Sequence, residues 1–180
     1  MKIISGKYKG LKLPKAYANT RPTTNKVTQA IFSKLVNLVD LEDFVFYDLF
    51  AGTGAMAFEA LSRGCVKVYL NDKNKLTAYK LKLFIKKNNI DNARVTNLNA
   101  KGISMNFKTN ENIIVFLDPP YNFAEKYLAK VFSAISKANF IIYETSKKQT
   151  RRLNNILDAN NLYILSDSFY GDTAVYFITK

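Results

Sequence analysis

The sequence has no histidine, no tryptophan and a single cysteine, Cys65. Without imidazole there can be no Ser-His-Asp or Cys-His nucleophilic machinery and no histidine-rich zinc or iron site. A lone thiol excludes an internal disulfide and leaves no thiolate pair for zinc, so no metal is expected. No apolar run approaches the ~20 residues needed to cross a bilayer. Residues 1–10 (MKIISGKYKG) lack the continuous apolar stretch of a secretory signal, so a cytoplasmic location and no membrane partner are expected. Acidic residues are scarce as well: 14 Asp and Glu stand against 27 Lys and Arg, a net charge of +13. Such a field attracts polyanions, and nucleic acid is the partner it favours. Catalysis, if any, must rest on carboxylates, backbone groups, Lys, Tyr or a cofactor.

What is present reads as a single α/β domain over 1–180, with an arm at 1–22 and a core at 23–180. Residues 2–13 alternate around Gly6 and Gly10, which suits a small lysine-rich β-hairpin. Arg21-Pro22-Thr23-Thr24 then starts a helix, with Thr23 or Thr24 as its cap and Val27, Ile31, Leu35 and Leu38 turned inward. Short apolar strands are predicted at 44–50, 66–70, 94–97, 113–117 and 140–144. Between and after them come helices at 55–63, 76–88, 124–136 and 147–159. In the helix over 76–88, Leu76, Tyr79, Leu83 and Phe84 are assigned to the core. Two last strands, 162–166 and 174–179, flank the turn Tyr170-Gly171-Asp172. The alternation implies a mostly parallel sheet covered on both faces, closed by an antiparallel C-terminal hairpin. Ligands of such sheets bind at the carboxyl ends of the strands.

The first candidate site lies at one of those ends. Asp48-Leu49-Phe50-Ala51-Gly52-Thr53-Gly54 leaves a strand and opens a helix, so Phe50 to Gly54 bring backbone N–H groups close to a ligand. A carboxylate four residues ahead of the first glycine suits a ligand with an ammonium group better than a pyrophosphate. S-adenosylmethionine is such a ligand. Asn71 and Asp72, at the end of the second strand, are placed to accept hydrogen bonds from ribose hydroxyls. Asn99 and Ala100, after the third, are candidates to face an adenine ring.

Asp118-Pro119-Pro120-Tyr121 follows the most apolar strand, where two prolines cannot continue a ladder. It fits a definite chemical task. An exocyclic amino group on a base is a poor nucleophile, because its lone pair is delocalised into the ring. The Asp118 carboxylate and a backbone carbonyl held by the prolines can accept both amino hydrogens and aim that lone pair at a methyl donor. Tyr121 offers a face on which an extruded base can stack.

GKYKGLKL, RPTTNKV with AIF, DLFAGTGAMAFEALSRG, DPPY, YETS and FYGDT occur in that order over nearly the whole chain. Together they make it similar to the bacterial 16S ribosomal RNA guanine-N2 methyltransferases (RsmD-like). The resemblance implies a Rossmann-like class I methyltransferase fold. It also implies methyl transfer from S-adenosylmethionine to N2 of one guanine in 16S rRNA, within the small ribosomal subunit. By position, Asp48, Gly52 and Gly54 would hold the methionine portion, and Asp118 to Tyr121 would form the catalytic corner. Three departures stand out. Asn71 precedes Asp72 where an acid is usual, Asn99 replaces an Asp, and Thr28-Gln29 replaces an Arg-Glu pair. The arm then becomes an RNA-contacting element, through Lys7, Tyr8, Lys9, Arg21 and Thr23, with Lys2, Lys12, Lys15 and Tyr17 nearby in sequence. The rival readings are an amino-methyltransferase acting on adenine N6 or cytosine N4, and a non-catalytic RNA-binding assembly factor.

Overall fold

Thr24 caps the first helix: its Oγ1 accepts from the Val27 N–H at 3.4 Å, and α1 runs Asn25–Leu38. Val27, Ile31 and Leu35 are buried as the spacing predicts, whereas Leu38, in the final turn, is exposed. The computed structural model describes residues 1–15, 24–105, 107–108, 110–120, 122–147 and 153–180. They form two compact units, Met1–Leu98 and Asn99–Lys180. Arg21, Thr23, Tyr17 and Tyr121 lie outside the described residues, as do 148–152 of the helix expected over 147–159.

In the first unit, β1 (Phe44–Asp48), β2 (Lys67–Asn71) and β3 (Ala93–Thr96) run parallel in the order β3-β2-β1. Connections between parallel strands need crossovers, supplied by α2 (Ala55–Ser62) and α3 (Lys75–Lys87). β1 stops at Asp48 rather than at 50, because the Asp48 carboxylate accepts from the Phe50 N–H at 3.3 Å and turns the chain. Facing residues Tyr47 and Tyr69 stack at 4.6 Å across β1 and β2. Cys65 is buried, which pushes its thiol up to about 12 and keeps it a protonated packing group.

α3 corrects the sequence reading. Thr77, Ala78, Leu81 and Phe84 face the core, while Leu76, Tyr79 and Leu83 are 51, 59 and 47% exposed. The helix has two apolar stripes, and hydrophobicity cannot say which one the sheet covers. The sheet takes the stripe with small residues, which lets the helix axis approach closely; of the four residues assigned inward, only Phe84 is.

The N-terminal arm is a hairpin with one bridged pair, Lys2 and Lys12. It is docked on α2 by hydrogen bonds that no hydrophobic pattern reveals. Glu59, 1% exposed, accepts from the N–H groups of Ile4 (2.7 Å) and Ser5 (3.1 Å) and pairs with Arg63 Nε at 2.7 Å. The Lys7 N–H donates to the Ser62 carbonyl at 2.7 Å, and the Tyr8 N–H to Ser62 Oγ at 2.9 Å. Ser62 Oγ in turn donates to the Ser5 carbonyl. The arm comes so close at Gly6 that a Cβ would lie 1.7 Å from the Ser62 carbonyl oxygen, at a φ of +79°.

In the second unit, β4 (Asn112–Leu117) and β5 (Phe140–Ser146) are parallel, and β7 (Thr173–Thr179) and β6 (Tyr163–Tyr170) follow antiparallel in the order β4-β5-β7-β6. The expected C-terminal hairpin is present. β6 ends four residues beyond its predicted end at 166, because pairing with β7 carries it through polar Asp167 and Ser168. α4 (Glu125–Ile135) buries Val131, Phe132 and Ile135, and α5 is described over Leu153–Asp158.

Gly6→Ala is expected to undock the arm without unfolding the core. Amide exchange over 2–13 should accelerate by at least about tenfold while exchange in β1 and β2 stays unchanged, given what a backbone clash and lost hydrogen bonds cost.

Candidate active site

The polar groups at the tips of the first unit's strands are organised by a buried amide. Asn71, 4% exposed, has every polar position of its side chain committed to protein. Its Nδ2 donates to the carbonyls of Leu49 (3.2 Å) and Leu98 (3.1 Å). Its Oδ1 accepts from Thr96 Oγ1 and from the Leu98 N–H, both at 2.9 Å. An amide has two donors and about two acceptor positions, so this side chain is saturated. It ties the exits of β1, β2 and β3 together, and its own carbonyl receives the Ala51 N–H at 2.9 Å.

Asp72 is half-buried and sits differently. Its Oδ2 accepts from the Gly52 N–H at 3.0 Å and its Oδ1 from the Asn74 N–H at 2.8 Å. Each oxygen keeps acceptor capacity, and the carboxylate is anchored directly to the glycine turn. Asn74 then caps α3, taking the Leu76 and Thr77 N–H groups at 2.9 and 3.1 Å.

The turn has the shape a ligand needs. Asp48 is 1% exposed at the β1 tip. Gly52 has φ +53°, and apart from the Phe50 carbonyl oxygen at 4.0 Å nothing would meet a Cβ built there, so its surface is open. Gly54 has φ +78° and is closed: a Cβ would meet the Phe58 ring at 2.5 Å. As the N-cap of α2 it has no side chain to offer the first-turn N–H groups. Phe50 and Thr53 are half-buried around the turn, and Ala51 is buried. A buried carboxylate, an open glycine, an uncapped helix start and the Asp72 carboxylate fit a ligand with an ammonium group and ribose hydroxyls.

In the second unit, Asn99 is exposed, and its side chain accepts from the Lys101 N–H at 3.1 Å, capping the 3-10 turn Ala100–Gly102; Ala100 is buried. The corner after β4 has Asp118 half-buried, Pro119 buried and Pro120 exposed. The Phe123 N–H donates to the Pro120 carbonyl at 2.8 Å, closing the chain behind the corner. Leu117 pairs with Tyr143 of β5, so the YETS segment begins beside the corner. Burial pushes the Tyr143 hydroxyl above its usual range, and the charges of Asp118 and Tyr176 add to this against a Thr145 hydrogen bond. Tyr143 is held edge-on to Phe132 at 5.6 Å and stacked on Tyr176 at 6.4 Å.

The family described as "Conserved hypothetical protein 95" matches residues 1–179. The ribosomal RNA small subunit methyltransferase D of Buchnera aphidicola subsp. Acyrthosiphon pisum is 33% identical, over 82% of this chain and 79% of its own. This chain belongs to that family of RsmD-like, S-adenosylmethionine-dependent methyltransferases. A solved structure of the putative methyltransferase yhhF from Escherichia coli superposes with a TM-score of 0.79 at 27% identity, covering 100% of this chain and 97% of the other. The magnesium protoporphyrin IX methyltransferase of Synechocystis PCC 6803, solved with bound S-adenosylmethionine, matches at a TM-score of 0.70 and 11% identity, a likeness of fold alone. The methyltransferase therefore has the Rossmann-like class I fold, and S-adenosylmethionine is its methyl donor.

Sequence reasoning missed the arm's anchors, Glu59 and Ser62, and the tie made by Thr96 and Leu98. A lone acid inside the apolar stretch MAFEAL was the available signal for Glu59.

Asn71→Asp is expected to destabilise the methyltransferase by about 2 kcal/mol or more, because a carboxylate would face two carbonyl oxygens. Asp72→Asn is expected to cost less, about 1 kcal/mol, because its NH2 loses one of the two N–H partners but at a half-buried position; denaturant unfolding of both variants checks the difference.

Proposed function

We propose that this methyltransferase transfers one methyl group to the exocyclic N2 of a guanine in 16S rRNA, presented within the small ribosomal subunit, in the cytoplasm. The observation that carries the reading is Asp118-Pro119-Pro120 at the carboxyl end of buried β4, with Tyr121 next in sequence, in a chain whose relatives are named for small-subunit rRNA methylation. The charge of +13 supports a polyanionic substrate.

In this reading, residues 1–180 act as one catalytic domain with an RNA-contacting arm. Asp48, Gly52 and Gly54, with Phe50, Ala51 and Thr53 around them, take the methionine end of the cofactor. Asp72 rather than Asn71 takes the ribose, since the Asn71 amide has no hydrogen-bonding position left. Asn99 and Ala100 take the adenine. Bound S-adenosylmethionine supplies an electrophilic methyl on a positively charged sulfur. The chain's own task is to make the amine a nucleophile. Phe123 engages the Pro120 carbonyl, so we assign the Pro119 carbonyl, with the Asp118 carboxylate, to accept the two amino hydrogens. Held this way, the nitrogen turns pyramidal and its lone pair points out of the ring plane. Tyr121 stacks the base. The methylated nitrogen is cationic and releases its proton readily, so no histidine is required. Lys7, Tyr8 and Lys9 of the docked arm, together with Arg21 and Thr23, contact RNA. Lys7 and Lys9 are exposed.

Asp118→Ala is expected to lower kcat by at least about a thousandfold while leaving S-adenosylmethionine affinity within about tenfold, because its contacts form in the transition state. Full activity in that variant removes the catalytic assignment. Mass spectrometric mapping of rRNA from unmarked small subunits, after reaction with labelled cofactor, should place one methyl on a guanine N2. Labelled adenine N6 or cytosine N4 supports the first rival, and no transfer at all the second.

A further inference from the structure

The stripe of α3 that the sheet leaves uncovered has a composition that singles it out. Leu76, Tyr79 and Leu83 recur at helical spacing and are each about half exposed, so they form a continuous apolar and aromatic strip. Helical geometry places Lys87 on one flank of the strip and Lys75, Lys82 and Lys86 on the other, all four exposed. No acidic residue occurs from 73 to 90. Most surface helices carry charges of both signs, and this one carries a single sign around one exposed ring and the methyls of two leucines. The strip also starts at the candidate site: Asp72 accepts from Asn74, and Asn74 caps Leu76.

We propose that this face of α3 docks a looped, single-stranded segment of the substrate RNA, separate from the nucleotide that is methylated. Tyr79 stacks an unpaired base, Leu76 and Leu83 pack against sugar and base edges, and the flanking lysines pair with phosphates. Lysines around an exposed aromatic ring are the arrangement that holds single strands without base-specific hydrogen bonds. Charge complementarity chooses the occupant, because a strip flanked only by cations favours a polyanion whose bases can also meet the apolar centre. The inference rests on the rRNA reading above and adds a second contact surface to the arm.

The test uses the full chain with unmarked small ribosomal subunits as substrate. Lys82→Ala/Lys86→Ala/Lys87→Ala is expected to raise the KM for subunits roughly tenfold and to lower the slope of log affinity against log salt by about two to three. Tyr79→Ala should raise that KM by roughly the same factor with the salt slope unchanged, and Tyr79→Phe should restore it. In all three variants kcat and S-adenosylmethionine affinity should stay within about twofold, since the residues are exposed and outside the cofactor turn. An unchanged KM for subunits in both the triple variant and Tyr79→Ala overturns the proposal. So does loss of binding to phosphatidylglycerol vesicles or to an acidic protein in those variants while subunit KM is unchanged. A wild-type chain that labels no rRNA overturns the underlying reading, which is a different result from a wild type that labels rRNA and variants that match it.

Discussion

The amide of Asn71 is the constraint on which the first unit's functional end depends. Three parallel strands can pair along their length and still leave their exits splayed, because each chain departs in its own direction after the last ladder bond. One buried side chain stops this by bonding the carbonyls of Leu49 and Leu98, the hydroxyl of Thr96 and the N–H of Leu98. The carbonyl of buried Leu49 would otherwise lack a partner, at a cost of about 1–3 kcal/mol, whereas Thr96 and Leu98 are exposed and exchange water for this tie. With the exits tied, the backbone of Ala51 is pinned to Asn71 and that of Gly52 to Asp72. The glycine turn is thus shaped before any ligand arrives.

The same logic explains why neighbouring residues at one strand end do unlike work. Asn71 points into the protein and needs two donors there, which a carboxylate lacks. Asp72 points along the turn, where its acceptors remain partly available. The departure from the usual acid at this strand end is therefore a division of labour between adjacent positions. Glu59 is the other internal organiser. It turns α2 into a platform for the lysine-rich arm, so the helix that opens at the glycine turn also carries that basic segment.

Much of the fold was legible because its signals are local. Continuous apolar strands, the Thr24 cap, the left-handed glycines after β1 and the turn at Gly171 each depend on a few adjacent residues. The corner at Asp118 was legible for the same reason, since two prolines after a buried strand admit few backbone shapes. What escaped were choices between locally equivalent options. α3 has two apolar stripes, and only packing against the sheet selects Thr77, Ala78, Leu81 and Phe84 over Leu76, Tyr79 and Leu83. β6 outran its apolar pattern because its length is set by its partner, β7.

By itself, then, the sequence determined the chemistry open to this protein. Without histidine it is left with carboxylates, backbone groups and a cofactor for its methyl transfer, and its net charge of +13 makes a field that favours polyanions. Tertiary structure decided which polar groups serve the protein and which are left for a ligand. Asn71 and Asp72 are adjacent, and in sequence either offers a short polar side chain at the same strand end. They part company only when β1 and β3 bring carbonyls to one and the glycine turn to the other, because a hydrogen-bonding group's role is set by what surrounds it after folding.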